Sequence, residues 1–151
     1  MQLVLHRIAG CHDRIKVIVT SDRRGDTIER MLHQLGAEAI RLPDGLKMRP
    51  FFKELKQESR AHGEILAAAL DGPLGPLHEP KKLLFLLASE AGKEMVSVHF
   101  RCRRVIRLKS RWDRYVIPLP FCRITASFEE LGIVKTDDLR NFEEYQKRLV
   151  Y

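Results

Sequence analysis

Apolar and polar positions change period several times along this chain. Lys16 to Thr20, K-V-I-V-T, is a short apolar run that predicts a buried strand. Ile28, Met31, Leu32 and Leu35 then fall at i, i+3, i+4 and i+7, the spacing of one apolar helical face. Asp26-Thr27-Ile28-Glu29 has the form of a capping box at the start of that helix, and Gly36 has the form of its stop. Ala37 to Leu42 predicts a second strand. Pro50 suits the first turn of another helix, with Phe51, Phe52 and Leu55 facing inward and Gly63 closing it.

Ile65 to Leu70, I-L-A-A-A-L, is apolar at every position, as an inner strand of a parallel sheet covered on both faces should be. Lys82 to Ala91 predicts a third long helix, stopped by Gly92. Met95 to Phe100 and Arg123 to Phe128 read as strands, and Asp137 to Leu149 as a polar C-terminal helix. Strands alternating with helices over short connections predict one α/β domain across residues 1–151, a mostly parallel central sheet flanked by helices.

Composition narrows the class of protein. A length of 151 residues suits a single core, and 44% apolar with 31% charged residues excludes large-scale disorder. Lys and Arg number 27 against 20 Asp and Glu, a net charge of +7 that points to an anionic partner. The three cysteines, Cys11, Cys102 and Cys122, are too few and too widely spaced for a disulfide framework or a zinc site. Leu83 to Ala88, the longest strongly apolar stretch, falls far short of the ~20 residues that span a bilayer. Only a brief apolar start precedes Arg7, unlike a secretory signal. The expectation is a cytoplasmic protein with reduced thiols, any membrane contact being peripheral at the inner face.

Two segments could carry chemistry. The first is Asp71-Gly72-Pro73-Leu74-Gly75-Pro76, directly after the apolar strand. Ligands of open α/β sheets collect beyond the C-terminal strand ends, and glycine lets backbone approach them closely. Lys81 and Lys82 stand at the next helix start, where cations oppose the dipole and a bound phosphate would relieve them. The alternative is a rigid turn with solvated lysines. The second is Arg101 to Trp112. If extended, it points Arg101, Arg103, Arg107, Lys109 and Arg111 one way, a basic strip ending in the Trp112 indole. Such a strip suits an anionic membrane surface, and it suits nucleic acid too; the alternative to both is a charged edge strand. Among six histidines none has a useful metal-ligand spacing, and His99 reads as a packed or solvated strand residue rather than a base. No nucleic-acid motif is present, and none of G-x-S-x-G, Walker or G-x-G-x-x-G occurs.

Four pieces resemble a bacterial domain-of-unknown-function family (number three hundred and seventy-four) of the lysophospholipid and glycerol-3-phosphate acyltransferase superfamily. Val17 to Ile28 resembles its strand, serine and acidic helix start. Asp71 to Pro76 resembles its D-G-P-R-G-P signature. Ala88 to Gly92 followed by Met95 to Val98 resembles its next helix and strand. Arg107 to Phe121, R-L-K-S-R-W-D-R-Y-V-I-P-L-P-F, is close to its R-L-K-S-W-D-x-F-x-I-P-x-P-F segment and is the most specific piece.

The resemblance implies transfer of a fatty acyl group from an acyl-CoA or acyl-carrier-protein thioester to the hydroxyl of a lipid precursor, with no other cofactor. It implies a histidine general base upstream of the first strand, and His6 is the better-placed candidate. Asp71, Gly72, Pro73, Gly75, Lys81 and Lys82 would hold the acceptor. The implied partners are an anionic membrane surface or lipid precursor and an acyl carrier, with no nucleic acid. The chain departs from the pattern twice. Five residues after His6 is Cys11 and five after His12 is Val17, so there is no H-x4-D, and Leu74 replaces the signature arginine. A diverged or N-terminally truncated relative that binds anionic lipid or a protein partner without catalysis is the alternative.

Overall fold

The computed structural model describes residues 14–43, 48–60, 64–72, 76–111 and 113–149. Strand β1 (Arg14–Thr20) lies at the centre of a three-stranded parallel sheet, with β2 (Glu38–Leu42) on one side and β3 (Glu64–Ala67) on the other. Alternate residues of β1, Ile15, Val17 and Val19, are buried, and they form one core with Leu32 and Ala37. Helix α1 (Arg23–Gln34) crosses between β1 and β2, and α2 (Met48–Ser59) crosses from β2 to β3, burying Leu55. Lys16 and Glu64 form an ion pair at 3.2 Å between β1 and β3.

Helix α3 (Lys82–Ala91) ends at Gly92 in a left-handed conformation (φ 65°), which glycine adopts without penalty. Its Phe85 is fully buried in a second core with Val134 and Leu139. Phe142 and Tyr145 pack edge-on against the Phe85 ring, with centroids at 5.3 and 5.7 Å. They belong to the C-terminal helix α5 (Phe142–Arg148), which follows the short α4 (Thr136–Arg140). The single helix expected over Asp137 to Leu149 is therefore two, broken at Asn141 (φ −105°, ψ 44°).

The expected mostly parallel central sheet is not what forms. Among the described residues the parallel sheet has three strands, and the later strands make two separate antiparallel pairs. Strand β4 (Glu94–Cys102) pairs with β7 (Ile124–Ile133), and the short β5 (Val105–Arg107) pairs with β6 (Val116–Pro118). The physical reason is visible in β4. Val96, Val98 and Phe100 alternate with Ser97, His99 and Arg101, which breaks the continuous apolar run that a parallel strand buried on both faces needs; here the apolar side is the exposed one and Ser97 is buried. The Ile65–Leu70 run is also not an inner strand. It pairs with β1 alone, its strand ends at Ala67, and Ile65 is 37% exposed. The centre is taken by β1, and Leu70 leaves the sheet to pack in the second core.

Candidate functional site

The strand order β2-β1-β3 puts β1 in the middle: α1 carries the chain from β1 out to β2, and α2 carries it back to β3 on the other side. In such sheets the C-terminal ends of the two strands at this reversal frame the ligand crevice. Beyond β1 stand Ser21 and Asp22, and beyond β3 stand Leu70 to Gly72.

At the β1 end each polar group serves the fold. The Ser21 hydroxyl donates to the Leu42 carbonyl, tying the end of β1 to the end of β2. Asp22 caps α1 by accepting from the Arg24 and Gly25 amides. The cap is thus Asp22, not the expected Asp26, because Thr20 and Arg24 also hydrogen-bond its carboxylate. The Thr20 hydroxyl, then the Arg24 side chain, then the Gly25 amide hold Asp22 well below the usual carboxylate range. Asp26 and Glu29, free of capping, bind Arg41, whose guanidinium also donates to the Thr20 carbonyl at 2.9 Å.

At the β3 end, the turn and the following helix start close on each other. The Lys81 amide donates to the Leu70 carbonyl at 2.7 Å. Gly72 has φ +67°, and a methyl group placed on it would come 3.5 Å from Lys81 Cγ, so the lysine stem covers the glycine. No side chain caps α3, and no acidic residue stands in its first turn, leaving an N-terminus that favours an anion. Lys81 reaches Glu79 at 3.4 Å, and Lys82 lies 6.0 Å from the centroid of the Phe142 ring. Both lysines therefore have partners within the protein, and an anion arriving here competes with one carboxylate and one ring.

Beside this turn lies an open hollow of about 400 Å³ lined by His78, Glu79, Glu143, Gln146 and Lys147. Gln146 Nε2 donates to the Pro80 carbonyl at 3.1 Å, so α5 pins the segment that leads into α3. Sequence reasoning missed this wall, because 66 residues separate Gln146 from Pro80. Locally, the stretch reads only as a polar C-terminal helix.

The basic run is not one extended strip. Arg101 lies in β4, Arg103 in the bend after it, Arg107 at the end of β5, and Lys109 and Arg111 in the turn that leads to β6. These five are all exposed. Arg111 is held by Asp113 through two bonds of 2.9 and 2.7 Å and sits 5.3 Å from the Tyr115 ring centroid. This pairing raises the Arg111 guanidinium and lowers the Asp113 carboxyl from their usual ranges.

Ser97, His99 and Glu129 form a cluster, at 3.1 Å from serine to imidazole and 3.2 Å from imidazole to carboxylate. Both contacts fall on the same nitrogen, Nε2. A relay needs serine and acid on opposite nitrogens, so these two contacts do not activate Ser97 as a nucleophile. Among the described residues, no group of three His, Cys, Asp or Glu side chains could hold a metal ion. No helix among them is long and apolar enough to cross a membrane.

Of the residues singled out from sequence, Asp71, Gly72, Lys81 and Lys82 lie on this turn and helix start. His6, Pro73, Gly75 and Trp112 lie outside the described residues. No family model matches the chain, and no solved structure matches it. Over 89 residues it is 27% identical to "Uncharacterized protein RP090" of Rickettsia prowazekii (strain Madrid E). That match covers 59% of this chain and 40% of the Rickettsia protein, so the alignment reaches well under half of that relative's length.

Proposed function

We propose that the chain acts on a phosphate-bearing lipid acceptor, transferring a fatty acyl group to its hydroxyl from a thioester of CoA or of an acyl carrier protein. The observation that carries the reading is the closed turn after β3. The Leu70–Lys81 bond and the Lys81 stem over Gly72 bring an uncapped helix start to the C-terminal end of the parallel sheet, where an anionic group is favoured. The same turn is the piece of sequence that resembles the acceptor-binding signature of the acyltransferases.

In this reading a histidine takes the acceptor's hydroxyl proton as the oxygen attacks the thioester carbonyl. The carbon–sulfur bond then breaks, and the thiol leaves with a proton. His6 is the proposed base, on resemblance alone. The test is to incubate the chain with acyl-thioester and a lysophospholipid, following free thiol and acylated product together. His6→Ala is expected to lower the rate roughly 10²–10⁴-fold. Lys81→Ala is expected to raise the acceptor KM about tenfold, the worth of one charge-assisted contact. Transfer that survives both His6→Ala and His12→Ala would refute the mechanism.

A second reading is a non-catalytic relative that binds the same anionic group. It is favoured by the missing H-x4-D and by Leu74 in place of arginine. No thiol release with any acceptor, together with retained binding of phosphate-bearing lipid, selects it. In that case Leu74→Arg should tighten binding through a bidentate contact.

A further inference from the structure

The hairpin built from β5 and β6 combines a dense positive charge with exposed apolar side chains. Eight cations and one carboxylate fall between Arg101 and Ile124, so this segment alone accounts for the chain's net +7, and the other 127 residues balance. The carboxylate, Asp113, is already bound to Arg111. Across the hairpin Ile106 pairs directly with Ile117, so the two share a face, and both are exposed. At the base of the hairpin the Cys122 amide closes a turn onto the Leu119 carbonyl at 3.0 Å. That turn holds Phe121 at φ +60° and 97% exposed. The backbone is fixed here by cross-links of its own, with the Leu119 amide on the Arg104 carbonyl and the Arg103 amide on the Arg123 carbonyl.

A solvated charged edge needs no Ile, Leu and Phe side chains standing in water. A nucleic-acid surface would use the cations but gain nothing from the Ile106–Ile117 pair. An anionic bilayer uses both: phosphates take the guanidinium groups while the apolar side chains enter the acyl boundary. We infer that the β5–β6 hairpin and the Leu119–Cys122 turn are a docking device for an anionic lipid surface, with Phe121 as the inserted anchor.

The inference goes beyond the acyl-transfer reading and does not need it, because vesicle binding is read without turnover. The experiment is flotation of the full chain with phosphatidylcholine vesicles, with and without phosphatidylglycerol. The fluorescence of Trp112, the sole tryptophan, serves as a second readout. Binding is expected with anionic vesicles only, lost in high salt, where the screening length falls to about 3 Å. Each of Arg107→Glu and Lys109→Glu should weaken partition at least about fivefold. Phe121→Ala should weaken it roughly tenfold or more without changing the circular dichroism, because that side chain packs on nothing in the free protein. Equal recovery with neutral vesicles, no recovery with anionic ones, or full binding by Phe121→Ala would each overturn the proposal. So would a single-stranded oligonucleotide that binds more tightly than the vesicles and is indifferent to Phe121.

Discussion

Gly25 shows how little freedom one residue has where α1 meets β1. A Cβ on Gly25 would lie 1.9 Å from the Thr20 carbonyl oxygen and 2.4 Å from an Arg41 nitrogen. The arginine could swing away, but the backbone oxygen of the central strand cannot. Gly25→Ala should therefore cost about 3 kcal/mol or more, the upper range of overpacking, seen as a lower urea midpoint at unchanged slope. Its neighbour Asp22 predicts a pH effect. The folded state holds its carboxyl below the unfolded value, so the stabilisation is fully present above about pH 4 and is lost as pH falls below that. Lowering the pH through this window should depress the Tm of the native chain more steeply than that of Asp22→Asn. The difference should shrink in high salt, because the group is solvent-exposed.

At the scale of elements, the helices were the most legible part. Lys82 to Ala91 was bounded correctly by the apolar run and Gly92, whose left-handed conformation is a local property written in one residue. Strand β1 was legible because K-V-I-V-T has few other uses. The partners of strands were not, since pairing is set by contacts distant in sequence. The all-apolar I-L-A-A-A-L run suggested an inner position, yet half of it is alanine, which buries little and competes poorly for the centre against Ile15, Val17 and Val19. Half of the candidate site was readable in D-G-P and Lys81. The other wall, supplied by Gln146 and Lys147, left no local trace. The junction between α3 and α5 is the packing most open to test. Phe85 is wholly buried and touches two rings, so Phe85→Ala should cost about 3–5 kcal/mol and should weaken the anchorage of α5.

At the scale of the whole molecule, the described residues form two apolar cores and three small sheets that share no strand. Its parts should therefore open at different free energies. Amides of β1, hydrogen-bonded on both sides, should exchange last, and those of the three-residue strands β5 and β6 first. Uniform exchange across β1 and the β5–β6 hairpin would show a single cooperative unit instead.

The hydrogen bond from Gln146 to the Pro80 carbonyl has a consequence for how the molecule is made. The parallel sheet is complete once the residues of β3 have left the ribosome, and the Leu70–Lys81 bond can form a few residues later. The outer support of the same turn waits until the ribosome has added 66 more residues. A nascent chain thus carries a half-built crevice for several seconds at ordinary rates of synthesis. During that time Phe85 has neither Phe142 nor Tyr145 against it. That interval is when a chaperone would find this chain, and a chain stalled before residue 142 should be its best client.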